Sequence, residues 1–166
     1  MLKAVVQAVP AYTMSCFKLS NTLYDELTGM VKQFWWGQKK QERKLAWMSW
    51  EKMYLTKEGG MGFKDLKSFN LALLAKQGWR LQTNTSLLFY RVYKAKYFPG
   101  CEFVEANIGR QTSCAWRSIM ADQPLIKRGM RWQVSDGERI KIWRDKWIPC
   151  PTTSKIITPE QHLSFV

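Results

Sequence analysis

The 166-residue sequence carries 26 Lys and Arg against 13 Asp and Glu, a formal net charge of +13, so at neutral pH the chain repels itself unless a polyanion is near. Hydrophobic residues make up 46% and aromatics 14%, enough large apolar side chains for a core, which excludes wholesale disorder. No apolar run approaches the roughly 20 residues that cross a bilayer. Met1 to Val9, broken by Lys3 and Gln7 and stopped by Pro10, makes a poor leader, so the expectation is an intracellular protein without a membrane partner.

Leu2, Val5, Val6 and Val9 recur at helical spacing up to Pro10 and read as the last turns of a helix entered midway. The next helix starts at Ser20 or Asn21, which can cap it, puts Leu23, Leu27, Met30, Val31 and Phe34 on one stripe, and stops at Gly37. Gln38 to Lys44, QKKQERK, is a charged loop that either stands in solvent or lies along phosphates. Leu45 to Trp50 alternates loosely, and the glycines of KEGGMGF at Lys57 to Phe63 then force a sharp turn and mark a boundary.

Asp65 caps a helix through about Leu81, with Leu66, Phe69, Leu73, Leu74 and Trp79 on its buried side. Another helix, from about Ser86 to Phe98, places Phe89, Tyr93 and Tyr97 on one side and Arg91, Lys94 and Lys96 on others; Pro99 and Gly100 end it. Shorter helices follow over Cys114 to Met120 and Leu125 to Gly129. Arg131 to Val134 and Arg139 to Trp143 flank a Ser135-Asp136-Gly137-Glu138 turn and predict one β-hairpin, after which the chain from Cys150 is polar and proline-rich. The expected fold is mainly α with that one small hairpin near the C-terminus. The expected division is 1–37, helical; 38–63, a charged and Gly-rich linker; 64–149, a helical connector ending in the hairpin; and 150–166, a flexible tail.

Two-metal phosphoryl chemistry needs carboxylates close enough to bridge ions about 4 Å apart, and the one adjacent acidic pair, Asp25 and Glu26, is explained by the dipole of the helix it opens. Asp136 and Glu138 with Lys141 resemble a nuclease cluster, but a hairpin turn demands Asp and Gly there for backbone reasons alone. His162, the one histidine, stands in the polar tail and offers no base for a nucleophile. Cys16, Cys101, Cys114 and Cys150 form no CxxC pair and read as free thiols, small buried apolar residues in a reducing compartment. Gly59, Gly60 and Gly62 lack the GKS or GKT sequel of a phosphate-cradling loop. The chain is therefore read as no enzyme on its own, with no cofactor and no metal.

The positive signal is basic. From Asn70 through Cys101 there is no Asp or Glu, while Lys76, Arg80, Arg91, Lys94 and Lys96 lie within that run, with Lys76 and Arg80 one helical turn apart. These five are the candidate phosphate contacts. Trp79, Tyr90 and Tyr93 are interleaved with them and either stack on bases or pack in the core, the core being the commoner use of aromatics at helical spacing. A second cluster, Lys127, Arg128 and Arg131, is diluted by Asp136, Glu138 and Asp145 and reads as ordinary surface ion pairing.

Several segments taken in order, KAVVQAVPAYTMSCFKLS from Lys3, FWWG at Phe34 to Gly37, GGMGFKDLKSFNLALLAKQGWRL from Gly59, KAKYFP from Lys94, AWRSI from Ala115 and DGERIKIWRDKWIP from Asp136, resemble plant LINE-type (non-LTR) retrotransposon reverse transcriptases. The resemblance covers nearly the whole chain and falls downstream of the polymerase palm, on a thumb-like helical region and the connector that precedes the zinc-binding and ribonuclease H segments. It implies a parent that is an RNA-directed DNA polymerase, in which residues 1–37 are thumb-like and thumb and connector hold the template and primer duplex. The partners implied are RNA, DNA or an RNA/DNA hybrid, together with a palm or other reverse transcriptase segments. The palm's Tyr or Phe, x, Asp, Asp motif has no counterpart here, so no catalytic residue is carried over. Three functional readings stay open: a nucleic-acid-binding segment, a degenerate remnant without selected function, and a structural or protein-interaction fragment that packs on a missing palm domain. Nucleus, cytoplasm and mitochondrion are all compatible compartments.

Overall fold

Caps and turns written in the sequence set where each element begins and ends. The computed structural model describes residues 8, 10–37, 45–55, 59–110, 112–136, 138, 140–148 and 154–156. Leu2, Val5, Val6 and Val9, the whole of the charged loop Gln38 to Lys44, and nearly all of the tail from Cys150, with His162, lie outside the described residues. Two units are distinguished, Met1–Ile126 and Lys127–Val166.

In the first unit Pro10 leads into a helix: its fixed φ suits a helix start, and α1 follows over Ala11–Cys16 with Met14 buried. Helix α2 (Asn21–Trp35) begins at Ser20, whose Oγ accepts from the Leu23 N–H at 3.3 Å. It ends at Gly37, which adopts the left-handed φ of 61° that a residue without Cβ takes readily. Leu45 to Trp50 forms no strand; Ser49 leads into the single turn α3 (Trp50–Met53). Gly62, at φ 62°, then reverses the chain so that Gly62 N donates to Leu55 O (2.8 Å) and Phe63 N to Met53 O (2.9 Å).

Asp65 caps α4 (Leu66–Thr83), its Oδ2 accepting from Ser68 N at 2.9 Å and from Ser68 Oγ at 2.6 Å. Then come α5 (Leu88–Tyr97), a 3₁₀ turn (Phe103–Glu105), α6 (Cys114–Ala121), whose Ser113 cap accepts from Trp116 N at 3.2 Å, and α7 (Gln123–Gly129), which runs across the unit boundary.

Helix α4 is the hub: α1, α2, α5, the 3₁₀ turn and α6 all pack on it, so helices before and after segment 38–63 share one packed body. Its inner stripe, Asn70, Leu74, Gly78 and Leu81, is buried at helical spacing. At the Leu81 end lies the main core. There the fully buried Trp116 ring is nearly parallel to Tyr97 (4.8 Å between centroids) and to Phe98 (5.6 Å), with Phe103 edge-on at 6.0 Å. Gly78 is what lets this core close, since a Cβ there would stand 2.5 Å from Ile126 Cδ1 and 3.0 Å from Phe103 Cζ.

At the other end Met14, Tyr24 and Leu66 form a smaller core around the Asn70 amide. Asn70 Oδ1 accepts from Leu19 N (3.0 Å) and the Tyr24 hydroxyl, while Nδ2 donates to Met14 O and Phe17 O (3.0 Å). All four hydrogen-bonding capacities of one buried amide thus tie α1, α2 and their connection to α4. A third aromatic group forms where Phe63 meets Trp35 (5.0 Å) and Trp50 (5.1 Å).

In the second unit the described residues contain no strand, so the expected hairpin is corrected. One ladder-like bond remains, Trp132 N to Lys146 O at 2.7 Å. The segment that was to form the second strand instead coils into a turn in which Arg144 N (3.1 Å) and Asp145 N (2.9 Å) both donate to Lys141 O. Asp145 Oδ2 closes that turn by accepting from Lys141 N at 2.8 Å, a local carboxylate-to-backbone bond that competes with strand pairing. Gly137 and Arg139 lie outside the described residues.

Three further expectations are corrected. Of the α2 stripe, Leu27 and Val31 are half-buried, but Leu23, Met30 and Phe34 face solvent, because the helix packs instead through Tyr24 and its neighbours. Trp79 lies outside the core, 46% exposed, since the closest approach of α4 to its neighbours runs through Gly78, one residue away and 100° around the helix. Cys16 and Cys101 are only partly buried and Cys114 is exposed, all three as free thiols; Cys150 lies outside the described residues.

Candidate nucleic-acid interface

The five basic residues proposed from sequence divide into two kinds of site. Lys76 and Arg80 stand on the outer side of α4, opposite the buried stripe, and both are exposed; the Arg80 guanidinium makes one long bond to Gln77 Oε1 (3.4 Å) within its own helix. Arg91 and Lys96 are exposed on α5, Lys96 over the Tyr97 ring at 5.3 Å. Lys94 is different. Its Nζ donates to Cys101 O at 2.6 Å and lies 5.3 Å from the centre of the Phe98 ring, so its ammonium holds the Pro99–Gly100 turn against α5 and is only partly available to a ligand.

The aromatics interleaved with these charges also divide. Tyr90 and Tyr93 pack against the main core, where Tyr93 joins a ladder with Phe89 (4.5 Å) and Tyr97 (5.4 Å). Trp79 faces outward beside Lys76, which precedes it by about one turn. Glu102, the first acid after the run, accepts from Gln82 Nε2 at 3.0 Å, on another side of α4 from that stripe.

Folding brings together a second basic group that sequence spacing could not reveal. Lys18, Ser20, Asn21, Arg117 and Ser118 line an open groove of about 520 Å³ beside the N-terminus of α2. Lys18 also lines an adjoining pocket of about 200 Å³ with Lys67, Asn70 and Asp122. Lys18 reaches Arg117 in the groove and Lys67 in the pocket because Lys18 N donates to Ser118 Oγ (2.9 Å) and Asn70 anchors the α1–α2 connection. In that pocket Asp122 is 1% exposed, and burial pushes its carboxyl above the usual range, only partly offset by Lys18 Nζ at 4.0 Å.

Another cleft, about 600 Å³, is lined by Tyr24, Asp25, Lys32, Glu51, Asp65 and Lys67 among others. Asp65 is committed to its cap: although burial opposes it, the two Ser68 bonds hold its carboxyl below the usual range. Among the described residues no three His, Cys, Asp or Glu side chains are placed to share a metal ion, and no helix is long and apolar enough to cross a membrane. In the second unit Asp136 and Glu138 are exposed, Asp136 Oδ1 accepting from Glu138 N at 3.3 Å as a turn residue does. Asp145 binds backbone, and among the described residues no ion pair joins it to Lys127, Arg128 or Arg131.

Comparison with known proteins finds plant relatives. The chain is 42% identical over 143 residues to an "Uncharacterized mitochondrial protein" of Arabidopsis thaliana, an alignment covering 85% of this chain and 93% of that protein. It is 32% identical over 154 residues to a "Putative ribonuclease H protein" of the same plant, covering 88% of this chain but only 24% of that much longer protein. No family model matches. No solved structure matches either.

Proposed function

Because the chain belongs to the family of the uncharacterized Arabidopsis mitochondrial protein, we propose that it is a noncatalytic nucleic-acid-binding segment related to plant LINE-type reverse transcriptases, from the thumb and connector region that holds template and primer. The order of the motifs along the chain supports this reading, and so does the ribonuclease H name of the longer relative, since a ribonuclease H acts on a nucleic-acid hybrid. The observation that carries it is the exposure of Lys76 and Arg80 on α4 and of Arg91 and Lys96 on α5, within a run from Asn70 to Cys101 that contains no acid. Such a surface binds phosphates without reading bases, so RNA, DNA and hybrid duplex all qualify. The mitochondrial relative from Arabidopsis favours the mitochondrion as compartment.

Fluorescence anisotropy with a labelled RNA/DNA hybrid tests the reading. Affinity should fall steeply between low and moderate salt, and reversing Lys76, Arg80, Arg91 and Lys96 to Glu should lower the slope of log K against log salt by about 3 to 4, near 0.9 per lost phosphate contact. Affinity that ignores salt, or survives the reversal, overturns it.

A second reading, a fragment that packs on another protein segment such as a palm domain, is favoured by the exposed Leu23, Met30 and Phe34 on α2 and by Trp47, 85% exposed. It expects dye binding or aggregation of the isolated chain that added nucleic acid does not relieve. A remnant without selected function would bind hybrid no better than any other protein of equal charge.

A further inference from the structure

We infer that the outer stripe of α4 is a contact site for unpaired nucleotides, in which the Trp79 ring stacks on a base while Lys76 and Arg80 hold the phosphates beside it. The inference rests on the nucleic-acid reading above and deepens it, from a duplex held by charge alone to a strand with at least one free base. Positions 76, 79, 80 and 83 fall on one side of a helix, at spacings of three and four. All four are exposed, and the stripe is opposite the buried Asn70, Leu74, Gly78 and Leu81.

Trp79 is the largest side chain type, here 46% exposed along one edge of that stripe, with a lysine three residues before it and an arginine directly after. Burial of tryptophan is the ordinary outcome, and the other aromatics of this region, Tyr90, Tyr93, Tyr97, Phe98 and Trp116, all join the main core. Nothing local forces Trp79 outward; its backbone is regular helix, with Thr83 Oγ1 donating to Trp79 O at 2.9 Å. A flat ring flanked by cations suits a base, whose π-face stacks on indole whatever its identity, and suits a backbone whose phosphates repeat along the strand. A protein partner would meet the same ring but would need carboxylates for Lys76 and Arg80. The absence of acid from Asn70 through Cys101 disfavours a second copy of this surface.

Duplex DNA or RNA offers no free base face along its length, so the stripe separates single strands from duplexes. Binding of the full chain to a labelled single strand, to a blunt duplex, and to the same single strand carrying abasic positions tests it, with Trp79→Ala and Trp79→Phe beside the native protein and far-UV circular dichroism confirming that each variant folds. The expected result is a loss of about tenfold or more on the single strand for Trp79→Ala, partial retention for Trp79→Phe, no change on the duplex, and an unaltered salt slope. Abasic positions should weaken the native protein and leave Trp79→Ala unaffected. If Trp79→Ala binds the single strand as the native chain does, or loses duplex and single strand alike, the stacking site is overturned while phosphate binding by α4 and α5 stands. If the native chain binds neither, both readings fall.

Discussion

Asn70 is the residue on which the N-terminal half of the first unit depends. Its amide answers Leu19 N, the Tyr24 hydroxyl, Met14 O and Phe17 O, and it is fully buried. Asn70→Ala leaves these groups without partners inside the protein and is expected to cost about 2 to 4 kcal/mol in urea denaturation, well beyond the loss of one ordinary hydrogen bond. In sequence Asn70 is one polar position on an apolar helix face, and nothing in the spacing marks it as a hub, because its partners lie 46 to 56 residues away.

Asp122 gives a pH test at the same scale. Its carboxyl is raised by burial, so the folded chain binds that proton more tightly than the unfolded chain. From the ordinary value of 3.8 up to the raised one, stability therefore falls as pH increases. Asp122→Asn is expected to be more stable than the native chain at neutral pH, by about 1 to 3 kcal/mol. The advantage should shrink as acid protonates the native carboxyl, which paired denaturation curves at neutral and mildly acidic pH would follow.

Among the elements, α2 and α4 make a controlled comparison. Each carries an internal glycine, and helix propensity alone favours replacing either with alanine by about 1 kcal/mol. Gly29 in α2 has open space around its missing Cβ, so Gly29→Ala is expected to raise the melting temperature. At Gly78 in α4 a Cβ would collide with Ile126 and Phe103 across the main core, so Gly78→Ala is expected to lower it, by overpacking that outweighs propensity. Two thermal melts decide the matter.

Capping chemistry is the part of the elements that was legible in advance. Ser20 and Asp65 start their helices where the sequence reading put them, and Cys114–Ala121 matches the expected helix within a residue. What failed lost to a competing bond or packing contact that turn signals and periodicity do not weigh. The hairpin signal around Asp136 and Gly137 lost to a turn closed by Asp145, and the α2 stripe lost to packing through Tyr24, whose hydroxyl reaches Asn70. Periodicity says that a helix has an apolar side; it does not say that the side finds a partner.

For the whole molecule the charge of +13 dominates. Self-repulsion lowers stability, so a folded chain that binds a polyanion should melt higher in the presence of short RNA than in an equal concentration of a neutral polymer, measured by scanning calorimetry. The exposed Leu23, Met30 and Phe34 supply the opposite tendency, toward association. Met30→Lys with Phe34→Glu is expected to reduce hydrophobic dye binding without lowering the melting temperature, since neither side chain is buried.

The sequence by itself determined the basic character, the mainly helical composition, the helix starts at Ser20 and Asp65 and the acid-free run from Asn70 to Cys101, because each depends on residue type or on neighbours a few positions apart. Tertiary structure alone decided which of those cations are free. It engaged Lys94 at Cys101 O, left Lys76, Arg80, Arg91 and Lys96 exposed, gathered Lys18, Lys67 and Arg117 around the start of α2, and turned Trp79 outward. The physical reason is that helical periodicity fixes the angle between two side chains on one helix, whereas burial is fixed by what packs against it. On α4 the Gly78 contact with Phe103 and Ile126 sets which face is covered, and so gives Trp79 to solvent.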